Sequence, residues 1–373
     1  MGLLPATLLL PQTTLAKAGA SRSLARDAAQ TFGRRGLVVH GASLARSGAL
    51  DGILGACGSE AELETWLHAG GEPTVGEVEA LRTELRRRRP DWIAAVGGGS
   101  VIDLAKAAAG LADAPQTAAY YQTRNGEIPP ASLPLIAAPT TAGTGSEATV
   151  VAVLTDPDRT LKQSIRHPTF MPKRVILDPD LLIGCPPATV AAAGLDAFIQ
   201  AFESYTSRYA TPFTRALAEL ALVRIADALL PLYRGDPAAA ADMLEGSYLA
   251  GLALSHSRLG VVHGLAHPLG ARTGLAHGLV CALCLPACLA FNRDCVARDL
   301  ADLKARHGLD VEDRVADWLS AMRLPNGLAG RTFPDREAMV REILASGSTD
   351  ANPRPVRAED AADLLDRVAA QPG

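Results

Sequence analysis

The sequence predicts two parts, an N-terminal α/β domain built on a parallel sheet and a C-terminal all-helical domain, and three observations carry that expectation. The chain has 373 residues, roughly twice a typical domain. Through the first half, short apolar runs alternate with amphipathic segments, the pattern of parallel strands joined by helices. After Pro186 the texture changes to long Ala/Leu-rich segments with few β-branched runs. Gly184, Cys185, Pro186 and Pro187 interrupt both patterns, which places the domains at 1–183 and 184–373.

Each element follows from local chemistry. Leu37–His40, Trp92–Val96, Leu135–Ala138, Val150–Leu154 and Val175–Leu177 read as strands, bounded by Gly, Pro or Asp. Met1–Gln12 is apolar, lacks a basic leader and is broken by Pro5 and Pro11, so it reads as a first strand rather than a signal peptide. Thr74 and Glu77 stand at capping-box spacing before a helix running through Arg82 to Arg89. The basic run Arg86–Arg89 ends that helix, where cations complement the dipole. Beyond Asn326 a Pro-, Asp- and Ala-rich tail with turn signals at Ser346–Pro355 is expected to pack on the helical domain or support oligomer contacts.

Composition excludes several classes of function. Hydrophobic residues make up 48% of the chain, yet no run reaches the roughly 18 uninterrupted apolar residues of a membrane span. A net charge of −4 offers no basic field for a phosphodiester backbone, so no nucleic-acid partner is expected. Six cysteines are too few to scaffold a chain of this size with disulfides. Cys281, Cys284, Cys288 and Cys295 stand among Leu, Ala and Val as buried thiols on one helix face, and the Cys281/Cys284 pair has no second pair to close a zinc ribbon. A cytoplasmic small-molecule enzyme, as a homodimer, is the expectation.

Two glycine-containing loops follow apolar strands. Gly97-Gly98-Gly99-Ser100 comes directly after Ala94–Val96 and opens a helix containing Asp103 and Lys106. Glycines let the backbone approach an anion, and the helix N-terminus offers N–H groups and positive dipole to a pyrophosphate. The pattern is not G-x-G-x-x-G. The second loop, Pro139-Thr140-Thr141-Ala142-Gly143-Thr144-Gly145-Ser146-Glu147, interleaves hydroxyls with glycine at a strand C-terminus, where open sheets bind ligands.

The helical half carries the strongest constellation. Asp196 and Gln200 are four apart on one helix face. His263 and His267 share another helix face, and a short turn returns His277 to the same cavity. A carboxylate and clustered histidines of this kind read as a divalent metal site.

In this order, the four motifs resemble the iron-containing (group III) alcohol dehydrogenase family, within the dehydroquinate synthase-like superfamily, over about residues 30 to 290. The resemblance implies a Rossmann-like N-terminal dinucleotide domain and a helical metal-binding domain. Asp196, His263 and His277 match metal ligands, and His267 matches the catalytic histidine beside the nicotinamide. Gln200 stands where the family has a histidine ligand; an amide oxygen is a weaker donor than imidazole. Fe(II) is placed ahead of Zn(II). Cofactor contacts are expected from Gly41, Ser43, Gly97, Gly98, Gly99, Ser100, Asp103, Thr140, Thr141, Thr144, Ser146 and Lys162.

The turn after Leu37–Val39 carries His40-Gly41-Ala42-Ser43 and then Arg46. Relatives that use NAD resemble one another in an Asp here, so its absence favours NADP over NAD. Lys162–Pro168 is similar to a branch reducing phosphonoacetaldehyde, and maleylacetate reductases belong to the same superfamily, so an acidic carbonyl substrate, with Arg272 as its clamp, stands beside a simple aldehyde. The implied activity is reversible hydride transfer to a small carbonyl, an EC 1.1.1 reaction. A dehydroquinate synthase-like lyase and a catalytically silent nucleotide-binding homologue are the alternatives.

Overall fold

Strands apolar on both faces must be covered on both faces, and the first half of the chain is arranged accordingly. The computed structural model describes residues 2–124, 126–130, 133–159 and 161–371. One compact unit comprises Leu9–Thr141 and Gly145–Cys185; the other runs from Pro186 onward and takes in the segment up to Leu8 and Ala142–Thr144. The α/β unit contains strands β1 (Thr13–Ala16), β2 (Arg35–Gly41), β3 (Glu62–His68), β4 (Trp92–Gly97), β5 (Leu135–Pro139), β6 (Val151–Asp156), β7 (Leu161–Arg166) and β8 (Arg174–Leu177). Six of them form a sheet in the order β1-β8-β5-β4-β2-β3, with every pairing parallel.

Register sorts the side chains by the two-residue period of a strand. Leu37, Ile93 and Leu135 lie side by side, as do Val39, Ala95 and Ala137, on one face. Val38, Ala94 and Ile136 face the other way. Helices α1 (Leu24–Phe32), α2 (Ala42–Arg46), α3 (Ala49–Gly55), α4 (Val75–Arg88), α5 (Gly99–Gly110) and α6 (Ala118–Arg124) follow in chain order. Val78, Leu81 and Leu85 of α4 join Ile102 and Leu104 of α5 over the first face. Leu24, Ala25 and Ala28 of α1 cover the second with Ile53 of α3. The expected capping box is present at the head of α4: Thr74 Oγ1 accepts from the Glu77 amide and Glu77 accepts from the Thr74 amide.

Two strand expectations need correction. The first strand is Thr13–Ala16 and not Met1–Gln12; Gly2–Gln12 has no regular structure, and Met1 lies outside the described residues. Pro5 and Pro11 cannot donate to a ladder, so pairing with β8 begins only beyond them. Val150–Leu154 does fall on a strand, β6, but that strand pairs antiparallel with β7 in a separate ribbon.

The helical unit contains α7 (Pro187–Thr206), α8 (Pro212–Tyr233), α9 (Ala240–Ser257), α10 (Val261–Thr273), α11 (His277–His307), α12 (Val311–Ala321), α13 (Arg336–Ala345), α14 (Gly347–Asp350) and α15 (Ala358–Ala369). Proline stands in the first turn of both α7 and α8, where its missing N–H costs nothing. From Gly194 to Thr206 every residue of α7 is buried, with α8, α9 and α11 packed around it. Helix α11 is long and apolar enough to cross a membrane, but 67% of that stretch is buried inside the unit, as expected of a core helix. The C-terminal segment packs here too, α13 against α10 and α15 against α11.

A buried charged cluster joins α5 to the loop after β5. Lys106 is fully buried and donates to Thr149 Oγ1 (2.9 Å) and the Val151 carbonyl (2.7 Å), with Asp103 Oδ1 at 4.0 Å. Burial lowers its pKa to about 8. The same desolvation raises Glu147 to about 7 from an ordinary 4.5. A carboxyl raised in the folded state keeps its proton while the unfolded chain loses its own, so folding stability falls as pH rises from about 4.5 to about 7. The wild type should therefore lose up to about 3 kcal/mol through this group between pH 5 and pH 8. Glu147→Gln should flatten that part of the profile, read from urea unfolding midpoints at the two pH values.

Candidate metal centre

Three helices converge on one carboxylate. Asp196 lies in the middle of α7 and is buried. His263 is in the first turn of α10, and the turn that ends α10 at Gly274, with φ of 69°, brings His277 to the start of α11. Close approach of α11 to α7 requires Gly278, since a Cβ there would lie 1.9 Å from the Ala192 carbonyl oxygen. His263 Nε2 is 3.2 Å from Asp196 Oδ1 and His277 Nε2 is 3.7 Å from the same oxygen. Ligand atoms of Asp196, His263, His277 and Cys281 all lie within 4.8 Å of one another.

The surrounding contacts prepare these groups to bind a cation. Glu203, buried on α7, receives His263 Nδ1–H at 2.6 Å and the Val262 amide at 2.7 Å. With Nδ1–H held by Glu203, Nε2 has only the proton it shares with Asp196 to give up before it can face a cation, the carboxylate–histidine arrangement used by metal-ligating imidazoles. Gln200 Nε2 donates to Asp196 Oδ2 (2.9 Å), while Gln200 Oε1 is buried without a partner. A buried acceptor left unpaired is costly, and a cation at this point would satisfy it. Burial alone would raise the Asp196 pKa; the His263 hydrogen bond and the neighbouring histidines outweigh it and hold the carboxyl low. Burial likewise opposes charge on His263, but Cys281, Asp196 and Glu203 reverse that and raise it well above the ordinary histidine value. One carboxylate, two imidazoles and an orphaned amide oxygen fit a divalent transition metal.

His267, expected as the catalytic histidine, is exposed and stacks on His277, with ring centroids 5.1 Å apart. Glu203 lies outside the expected site residues, and Cys281 is expected only as a buried thiol. Helical spacing was the available signal, since Glu203 follows Gln200 by three residues and Cys281 follows His277 by four.

In the α/β unit, the expected nucleotide-binding residues divide. Gly97 closes β4, Gly98 caps α5, and Gly99 and Ser100 open it. A Cβ at Gly97 would lie 2.6 Å from Val101 Cβ, so the turn tolerates only glycine there. The Thr140 amide donates to the Gly97 carbonyl at 3.0 Å, and Thr141 Oγ1 lies 3.3 Å from where a Gly98 Cβ would stand. These residues and Gly41, at the end of the adjacent β2, gather at the C-terminal edge of the sheet. Ser43 is exposed in α2, and Thr144 is exposed in the second loop. Asp103 and Ser146 hydrogen-bond each other, and Asp103 Oδ2 also receives the Val153 amide at 2.9 Å. Lys162 pairs with Glu72 at 2.7 Å on the surface. Arg272 pairs with Glu342 and Asp335, at 2.7 and 2.6 Å, within the helical unit.

If Glu203 orients His263, Glu203→Gln should weaken Zn(II) binding about 10- to 100-fold with the fold intact. Competition with a chromophoric chelator, alongside circular dichroism, reads both quantities.

Residues 11–179 match the family described as iron-containing alcohol dehydrogenase, and residues 190–369 match its C-terminal domain, the Fe-containing alcohol dehydrogenase family, C-terminal. The probable alcohol dehydrogenase EutG of Salmonella typhimurium is 41% identical over 254 residues, covering 68% of this chain and 62% of that protein. The NADPH-dependent butanol dehydrogenase of Clostridium saccharobutylicum is 30% identical over 357 residues, covering 89% of this chain and 90% of that protein. The solved structure of sulfoacetaldehyde reductase from Bifidobacterium kashiwanohense, in complex with NAD+, superposes with a TM-score of 0.92 at 26% identity, over 100% of both chains. By sequence along both halves, by fold, and by the constellation at Asp196, this chain belongs to the iron-containing alcohol dehydrogenase family of NAD(P)-dependent oxidoreductases.

Proposed function

We propose that the protein reduces a small aldehyde, reversibly, with a nicotinamide cofactor as hydride source. The observation that carries this reading is the buried Asp196–His263–His277 cluster, with His263 fixed by Glu203. Asp196, His263 and His277 would hold a divalent ion, which would supply a Lewis acid for the carbonyl oxygen. A bound nicotinamide would supply the hydride for the carbonyl carbon. Asp196 supplies negative charge from a buried position, which keeps the ligand set from repelling a cation. Glu203 holds the Nδ1 proton of His263, so that imidazole remains neutral toward the ion. His267, exposed and stacked on His277, delivers the proton to the oxygen of the reduced substrate through a ring nitrogen.

The α/β unit takes the dinucleotide. Gly97, Gly98, Gly99 and Ser100 with Thr140 and Thr141 receive its phosphates at the head of α5, and Gly41 and Ser43 receive the adenosine end. No carboxylate stands in the turn directly after β2, from Gly41 to Arg46, and exposed Ser43 and Arg46 leave the 2′ position open to a phosphate. NADPH is therefore the preferred cofactor, a choice supported by the likeness to an NADPH-dependent butanol dehydrogenase. Asp103 and Ser146 act on this site through each other, holding the second loop against α5.

The substrate is a small aldehyde. Likeness to a sulfoacetaldehyde reductase favours a second reading, an aldehyde bearing an anionic group. NADPH consumption with neutral aldehydes, and with aldehydes carrying carboxylate, phosphonate or sulfonate, separates the two.

Metal-loaded protein should turn over at least one of these substrates, and metal-stripped protein or Asp196→Ala should lose about 100-fold or more. His267→Ala should lower kcat by about 100-fold while leaving metal content unchanged. No turnover by metal-loaded protein across both classes of aldehyde would overturn the reading.

A further inference from the structure

Helix α11 places one more ligand-type side chain at the cluster than the family resemblance assigns. Cys281 stands one turn after His277, is fully buried, and has its Sγ 3.7 Å from His277 Nε2. Neighbouring thiols do not share this position: Cys284 and Cys288 are buried on the same helix but outside the cluster, and Cys295 is exposed. The second observation is on α7, where Gln200 occupies a ligand position and spends its amide nitrogen on Asp196 Oδ2, leaving a neutral oxygen unpartnered. That arrangement supplies a weak donor in place of a strong one.

We propose that the Cys281 thiolate is a protein ligand of the metal, supplying the strong donor that Gln200 does not. This inference rests on the reading of Asp196, His263 and His277 as a metal site. Tetrahedral coordination at metal–donor lengths of about 2.0–2.3 Å places donor atoms about 3.3–3.8 Å apart. The observed separations are 3.2 Å for His263 Nε2 to Asp196 Oδ1, 3.7 Å for His277 Nε2 to Asp196 Oδ1, and 3.7 Å for Cys281 Sγ to His277 Nε2. Three of the six donor–donor separations thus match one coordination sphere to within about 0.1 Å, and all four donors lie within 4.8 Å of one another. On binding, the Cys281 S–H bond gives way to a sulfur–metal bond and the proton leaves to solvent.

Charge and softness then change together. One carboxylate and one thiolate neutralise a divalent ion, whereas a carboxylate with neutral ligands leaves a net positive charge. A thiolate is a soft donor that favours zinc over iron, so Cys281 reverses the metal order inferred from the resemblance alone. Zinc should be retained preferentially when the two metals compete under anaerobic conditions.

The full chain, stripped of metal and given one equivalent of Co(II), should show a near-ultraviolet thiolate-to-cobalt charge-transfer band. That band should persist in Cys284→Ser and vanish in Cys281→Ser, whose Zn(II) affinity should fall at least about 100-fold. Zinc-edge X-ray absorption of the wild type keeps the test independent of how the variant folds, and should show one sulfur at about 2.3 Å. One bound metal per chain with a shell of nitrogen and oxygen only, or a band that survives in Cys281→Ser, overturns the role of Cys281 and leaves the proposed activity standing. Failure of the chain to bind Co(II) or Zn(II) at all overturns both.

Discussion

The helical unit is organised around two buried carboxylates, Asp196 and Glu203. Asp196 and Glu203 are both less than a tenth exposed and both lean on one imidazole, that of His263. Carboxylates in a low-dielectric interior are expensive to ionise unless paired, and His263 and His277, at 3.2 and 3.7 Å from Asp196 Oδ1, are the groups that pair with it. A divalent ion would draw on Asp196 and the Nε2 atoms and leave Glu203 its hydrogen bonds to His263 Nδ1 and the Val262 amide. Stability and chemistry therefore meet at the same groups. Helix α7 carries this charge within its buried stretch from Gly194 to Thr206, and α10 and α11 supply the partners.

Steric economy makes the convergence possible. Gly278 lets α11 pass within contact of the Ala192 carbonyl, and at Gly194 a Cβ would lie 2.2 Å from Leu229. Small residues at these crossings bring the histidines close enough for their nitrogens to share one acceptor on Asp196. The α/β unit uses the same device for a different end. Gly97 allows the backbone to turn straight from β4 into α5, presenting a helix N-terminus beside Thr140 and Thr141. There the buried Lys106, hydrogen-bonded to Thr149 and Val151, fixes α5 to the segment that follows the second loop.

Much of this was legible in the sequence because it depends on local pattern. Central strands β2, β4, β5 and β8 are buried and read as apolar runs. Edge strands were hidden for the opposite reason: β1 is exposed throughout, and β3 intersperses Glu62, Glu64 and Thr65 with its apolar residues. The antiparallel pairing of β6 with the polar β7 depends on tertiary contacts that no single segment encodes. At the metal centre, spacing brought Asp196, His263 and His277 together on paper. Glu203 and Cys281 were obscured by apolar neighbours that made them resemble ordinary helix residues, and the pairing of Arg272 with Glu342 and Asp335 crosses some seventy residues of chain.

Diffraction from crystals of the metal-loaded chain, recorded on both sides of the zinc and iron absorption edges, tests the central claim most directly. The account predicts one anomalous peak within about 2.0–2.3 Å of Asp196 Oδ1, His263 Nε2 and His277 Nε2. An ordered Asp196–His263–His277 cluster with no anomalous peak among its donor atoms would contradict it.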